Sequence, residues 1–297
     1  MDYGKIKKRK LRYIKTLLLR LIPDKLYIDF MFKKILGHKM NWKNPKTFSE
    51  KQNWMKLYYR PTEFTQMVDK LEAKKLVASM IGDEYVIPLL GSWDRYEDID
   101  FDALPDSFVL KPNNGCGDFL ICKNKEEKNN IDHDYYKALF DINMKTDYSL
   151  LSREWQYRGI KPKILAEKYM TNDEDIEELS DYKFMCFHGE PKIMFIATER
   201  NTDCKFDFYD MEFNHLDLYN LHPNSDKTIE KPKNYDKLIE LAKILSKDYP
   251  FVRIDFFISK DKIYFSEWTI SHSGGFSVFK PDEWEYKLGD WIHLEKL

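Results

Sequence analysis

The chain has 297 residues, a net charge of −2, and 43% hydrophobic and 15% aromatic residues. That is enough apolar material for one large core or two to three small lobes, and too much for a disordered chain. The near-neutral balance excludes a general nucleic-acid binder, which needs a clear basic excess, and no apolar run approaches the ~20 residues of a membrane-spanning helix.

The first segment departs from that average. Lys5, Lys7, Lys8, Arg9, Lys10, Arg12, Lys15 and Arg20 crowd its first twenty residues, with Leu11, Ile14, Leu17, Leu18, Leu21 and Ile22 between them. The spacing predicts a basic amphipathic helical segment over 1–45. Two readings stand: attachment to an anionic membrane surface or a polyanion, or a packing helix with a solvated basic face. A secretory signal is not expected, because charges interrupt the apolar positions. The expected location is cytoplasmic, peripheral at the inner face of the cell membrane if the first reading holds.

A helix follows over 48–58, with Thr47 or Ser49 as N-cap, and a second over 63–81 that stops near Gly82. Residues 86–90 read as a short strand, and the turn-rich, acidic stretch 92–106 as a lobe boundary. Strands are then predicted at 107–111, 119–122 and 164–167. Residues 182–188 and 192–198 form a hairpin, 234–247 a helix, and 252–258 with 262–268 a second hairpin. The fold class is α+β, divided as 1–45, 46–106, 107–170 and 171–297. Cys116, Cys122, Cys186 and Cys204 form no CxxC pair and read as reduced thiols.

Four constellations carry chemistry. In Phe108-Val109-Leu110-Lys111-Pro112-Asn113-Asn114-Gly115-Cys116-Gly117-Asp118 a strand delivers a lysine to a loop with two glycines. Glycine lets backbone N–H groups approach phosphate, and lysine adds a point charge. A plain hairpin turn would look similar, and the Walker A ending is missing. In Phe251-Val252-Arg253-Ile254-Asp255, period-two alternation puts Arg253 and Asp255 on one strand face; Glu267 and Thr269 share a face of the return strand. Two carboxylates facing one space suit Mg2+, and a neighbouring arginine suits phosphate; a cross-strand salt bridge is the bland alternative. The third constellation is Leu165-Ala166-Glu167-Lys168-Tyr169, and the fourth Asp181-Tyr182-Lys183-Phe184.

Their order resembles the ATP-grasp superfamily and, more closely, the TupA-like ATP-grasp proteins of polysaccharide and teichuronopeptide biosynthesis. Thr47-Phe48-Ser49-Glu50-Lys51 and Leu104-Pro105-Asp106-Ser107 add to the likeness, which runs from about residue 45 to the C-terminus. The resemblance implies two α+β lobes clasping ATP, preceded by a helical region. It implies that Lys70 and Lys111 hold phosphates while the loop with Asn114, Gly115 and Gly117 closes over them. Adenine would lie against Glu167, Lys168, Tyr169 and Met170, with Asp181 on the ribose. Asp255, Glu267 and Thr269 would hold the metal, and Lys183 and Arg253 would face the moving phosphoryl group. The family pattern often has His and Ser where this chain has Asn114 and Cys116, and many ATP-grasp enzymes have Asn at the position of Thr269.

The implied activity is an ADP-forming carboxylate–amine ligase using ATP and Mg2+. Its substrates would be a small-molecule or polysaccharide carboxylate and an amine. His272, directly after the metal strand, is the candidate base for the amine. Three other readings stand beside it. One is a sugar kinase using the same ATP site. Another is a glycosyltransferase with Asp173-Glu174-Asp175 as metal motif, and the third is a binding protein without catalysis.

Overall fold

Local chemistry sets the helix boundaries in the computed structural model, which describes residues 2–115, 117–171, 179–200, 202–247 and 249–296. The helix Phe48–Tyr58 opens with a capping box: Thr47 accepts from the Glu50 amide, and the Glu50 carboxylate accepts from the Thr47 amide at 3.1 Å. Ser49 lies inside the first turn and donates to the Ser277 carbonyl. The helix expected over 63–81 is two helices, Phe64–Val68 and Lys70–Ile81. Asp69 separates them, because its carboxylate takes the Leu71 amide and the Asn113 side chain at 2.9 and 3.0 Å.

Two units result. The first comprises Met1–Pro23, Thr65–Lys74 and Ile87–Met170; the second comprises Asp24–Phe64, Lys75–Val86 and Thr171–Leu297. The units do not follow the linear lobes read from the sequence. The basic segment divides at Pro23, and residues 46–106 contribute to both units. Helix faces here pack against sheets far away in sequence, which composition shifts along the chain do not register.

The first unit holds a four-stranded antiparallel sheet in the order Leu89–Trp93, Ile164–Lys168, Phe108–Pro112, Leu120–Cys122. Phe108, Leu110, Ile164 and Ala166 fill one face and pack with Leu139 and Phe140 of the helix His133–Lys145. Ile6, from the helix Tyr3–Leu19, joins this core. The other sheet face carries Lys111 and Glu167.

The second unit holds a five-stranded antiparallel sheet in the order Lys262–Thr269, Val252–Ser259, Asp181–Phe187, Glu190–Thr198, Lys205–Tyr209. The helix Tyr235–Ser246 packs on this sheet, burying Leu238, Leu241, Ala242 and Leu245. Each of these leucines contributes roughly 1.5–3 kcal/mol. A second cluster joins Met185, Phe187, Ile193 and Phe195 of the sheet to Phe48, Met55, Trp284 and Leu288. Gly289 makes that packing feasible, since a Cβ there would sit 2.1 Å from the Lys46 carbonyl oxygen. Both hairpins turn through two residues with positive φ, His188-Gly189 and Lys260-Asp261. That geometry matches the strand twist and sets the register of each pair.

Candidate active site

The strand Val252–Ser259, between Lys262–Thr269 and the central strand Asp181–Phe187, positions most of the predicted residues. Lys183 pairs with Asp255, and Asp255 with Glu267, so the three form one row across three strands. The next row is Met185, Arg253 and Thr269. A β-bulge between Phe265 and Glu267 makes this possible. The turn aligns Ser259 with Lys262, and unbroken pairing from there would set Ser266 opposite Asp255. It would also turn Glu267 and Thr269 to the opposite face. The extra residue re-aims both side chains onto the Asp255 face.

Charge binds this row together. Arg253 grips Asp255 with a two-pronged fork, Nε to Oδ1 and Nη2 to Oδ2, each 2.7 Å. Lys183 Nζ lies 2.6 Å from Asp255 Oδ2 and 3.1 Å from Asp181, which also meets Arg200 at 2.8 Å. Arg253 reaches Glu267 Oε1 at 3.3 Å and lies over the Phe195 ring. Burial pushes the Asp255 carboxyl up, but Arg253 and then Lys183 outweigh it and hold the group below its ordinary range. The reverse holds for Lys183, where burial lowers the ammonium but Asp255 and Asp181 raise it further.

His272 is sealed behind this row, among Phe48, Phe195 and Phe279. Its Nδ1 lies 3.1 Å from Arg253 Nη1. Arginine can only donate, so Nδ1 is the acceptor, and Nε2 carries the proton to Asn220 Oδ1 at 2.9 Å. Burial first, then Arg253 and Lys183, lower its pKa to about 3. The base role read for His272 does not fit that environment: neither ring nitrogen is open, and the ring holds no second proton near neutrality. Its position instead orients Arg253. Gln52 Oε1 fixes the His272 amide at 3.1 Å, and Lys56 donates to the Gly274 carbonyl, so the helix Phe48–Tyr58 anchors the loop after the strand Lys262–Thr269.

In the first unit, Glu167 is buried between two lysines, Lys111 at 2.5 Å and Lys74 at 2.6 Å. Burial raises its carboxyl, but Lys111 and then Lys74 bring it below its ordinary value. For Lys74 burial dominates and lowers the ammonium, with Glu167 restoring part of the loss. This differs from a strand end open to adenine. The Glu167 backbone runs in the ladder between Leu89 and Val109, and the Lys168 amide donates to the Pro88 carbonyl. Tyr169 and Met170, half-buried, continue past the strand.

The glycine loop is fixed at both ends. Asn113 accepts from the Lys163 amide at 2.7 Å, and Lys70 Nζ donates to the Gly115 carbonyl at 2.6 Å. Gly115 has φ 77°, and a Cβ there would collide with the Tyr148 ring at 2.3 Å, so only glycine fits. Asn114 is buried with its Oδ1 unpartnered. At the far end, Arg9 forks onto Asp118 Oδ1, Asn143 holds Oδ2, and Lys5 meets the Gly117 carbonyl. Cys116 and the Asp173-Glu174-Asp175 triplet lie outside the described residues.

Among the described residues no group of three or more His, Cys, Asp and Glu side chains is arranged to hold a metal. Asp255, Glu267 and Thr269 nevertheless supply hard oxygen donors on one sheet face. That set fits Mg2+, which takes one or two carboxylates and completes its shell with water and phosphate oxygens. Both Asp255 oxygens already meet Arg253 and Lys183, so a bound cation would share or displace those partners. Sequence reasoning missed Lys74, Arg200 and Asn220. Only Lys74 left a signal, lying four residues from Lys70 on one helix face.

The family model described as TupA-like ATPgrasp matches residues 50–293. No curated protein matches the chain. Solved structures similar to it include the D-alanine–D-alanine ligase from Bacillus anthracis complexed with ATP, at 15% identity and TM-score 0.41. The alignment covers 82% of this chain and 65% of that one, so this chain spans less than two-thirds of that ligase. The Helicobacter pylori D-alanine–D-alanine ligase is similar at 14% identity and TM-score 0.43, covering 82% and 68%. The ADP complex of N5-carboxyaminoimidazole ribonucleotide synthetase is similar at 12% and 0.44, covering 70% and 45%. Matched by the family model over most of its length, the chain belongs to the TupA-like ATP-grasp family.

Proposed function

We propose that the protein is an ATP-dependent, ADP-forming carboxylate–amine ligase that works with Mg2+. The observation that carries this reading is the row Lys183–Asp255–Glu267, flanked by Arg253 and Thr269 on the same face. A carboxylate is a poor electrophile because its leaving group would be oxide. Transfer of the γ-phosphoryl group makes an acyl phosphate; an amine then attacks the acyl carbon and phosphate leaves. The protein's task is to position the reactants and neutralise charge.

The residues divide that work. Asp255, Glu267 and Thr269 would hold Mg2+, which would supply charge for the phosphate oxygens. Lys183 and Arg253 are cations already ordered on that face, Arg253 being aimed by His272. In the first unit Lys74 and Lys111 supply two cations against the one carboxylate of Glu167, and Lys70 meets the Gly115 carbonyl. That surplus suits a polyanionic phosphate group. The positive-φ glycines Gly115 and Gly117 fit a loop that contacts phosphate through its backbone. Family membership supports a sugar acid joined to an amino acid or related amine in surface-polysaccharide synthesis.

The test is ADP release with a panel of uronic acids and amino acids, with and without Mg2+. Release is expected only when both a carboxylate and an amine are present. Glu267→Ala should lower turnover at least about 100-fold while leaving the fold intact, since Glu267 is partly exposed. ADP formed together with a phosphorylated sugar and no amine would make the protein a kinase. Normal turnover by Glu267→Ala would remove the metal assignment.

A further inference from the structure

We propose that the outer face of the helix Tyr3–Leu19 docks on the surface of an anionic phospholipid bilayer. The inner face of this helix is already occupied. Ile6, Thr16 and Leu19 are buried, Arg9 forks onto Asp118, and Arg153 holds the Leu19 and Ile22 carbonyls. The opposite face should then be polar if solvent were its only neighbour. It is not: Leu11, Ile14 and Leu18 stand 59%, 51% and 65% exposed. At about 100° per residue these three lie within roughly 60° of one another, directly opposite Arg9 and Thr16.

Lysines frame that apolar stripe. On the same wheel Lys7 lies in line with it, Lys8 and Lys15 flank one side, and Lys10 the other, all exposed. Among the described residues no carboxylate pairs with any of these four. Leu21 and Ile22 extend the apolar surface beyond the helix end.

One kind of partner satisfies both features. Anionic headgroups attract the lysines, whose flexible stems let the ammonium groups reach outward while the leucines enter the acyl boundary. A soluble polyanion would meet the charges and leave the leucines wet. A second copy docked on the same face would set lysines against lysines. No described helix is long and apolar enough to cross a membrane, and the contact proposed here runs along the side of the helix.

The experiment uses the full chain in co-sedimentation with phosphatidylcholine vesicles, with and without phosphatidylglycerol. Binding is expected with the anionic vesicles only. It should fall at least about tenfold in the triple variant Leu11→Ser, Ile14→Ser, Leu18→Ser, and similarly in Lys7→Glu, Lys8→Glu, Lys15→Glu. Thermal melting of both variants should match the parent, because every changed side chain is exposed. As a second readout, a polarity-sensitive dye on Leu11→Cys should shift to the blue on anionic vesicles. Failure to bind, or equal binding to neutral vesicles, overturns the proposal. So does unchanged vesicle binding in the triple serine variant, which would indicate a polyanion site. A dimer in lipid-free solution that the serine variant dissociates would assign the face to a second copy instead.

Discussion

Replacing His272 with asparagine should change how stability depends on pH more than it changes stability at neutrality. The imidazole faces Arg253 at 3.1 Å and Asn220 at 2.9 Å, with Lys183 and Asp255 close behind and three phenylalanine rings around it. Its pKa falls from 6.5 to about 3 on folding. Between those values the unfolded chain binds a proton that the folded chain does not, so stability rises with pH across the window and is lost on acidification. The full slope is about 1.4 kcal/mol per pH unit, and the loss between about pH 7.5 and 5.0 integrates to about 2 kcal/mol. Asp207 and Glu285 act with the opposite sign, because burial raises their carboxyls. Both remain in the variant, so comparing the two proteins isolates the histidine. Urea unfolding followed by tryptophan fluorescence at the two pH values measures it. The variant should lose about 2 kcal/mol less than the parent over that interval. Parallel pH profiles would refute the buried, neutral imidazole.

Two further outcomes follow from the Glu167 cluster of the first unit and from the bulge. Glu167→Gln leaves Lys74 and Lys111 without their shared carboxylate and should reduce stability by about 3 kcal/mol in urea unfolding, near the low end for a broken buried pair because both lysines retain some solvent. Because the folded pKa of Glu167 is depressed, its contribution is present above the ordinary 4.5 and fades as pH falls through the folded value, so the parent and variant should converge in acid. Deleting Ser266 removes the bulge yet leaves Glu267 opposite Asp255 and Thr269 opposite Arg253 in unbroken pairing, so a folded deletion variant should keep ADP release, as should Ser266→Ala. A folded deletion variant with turnover as low as that of Glu267→Ala would show that this register does not set the aim of these residues.

The bulge also marks where the sequence stops being legible. Period-two alternation correctly pairs Arg253 with Asp255 and Glu267 with Thr269, since each pair lies on one continuous strand. Whether the two pairs share a face depends on the register between strands. Counting back from the turn at Lys260-Asp261 gives the wrong face unless one residue is bulged out. Nothing in Phe265-Ser266-Glu267 announces the bulge; tertiary packing fixes it, with Phe265 and Trp268 both buried on the core side. Partner selection over long range was hidden in the same way. Glu167 read as the end of a strand, and its two lysines come from a neighbouring strand and from a helix more than ninety positions upstream. His272 was conspicuous by residue type alone. Its role follows from Arg253 and Asn220, neither of which lies near it in sequence. The glycine loop was legible for the opposite reason: a positive φ and a close approach to Tyr148 are demands one residue type meets, so the chemistry is written at the position itself. Local requirements leave local marks, and the charged rows, assembled from separate strands and helices, leave theirs only in the register.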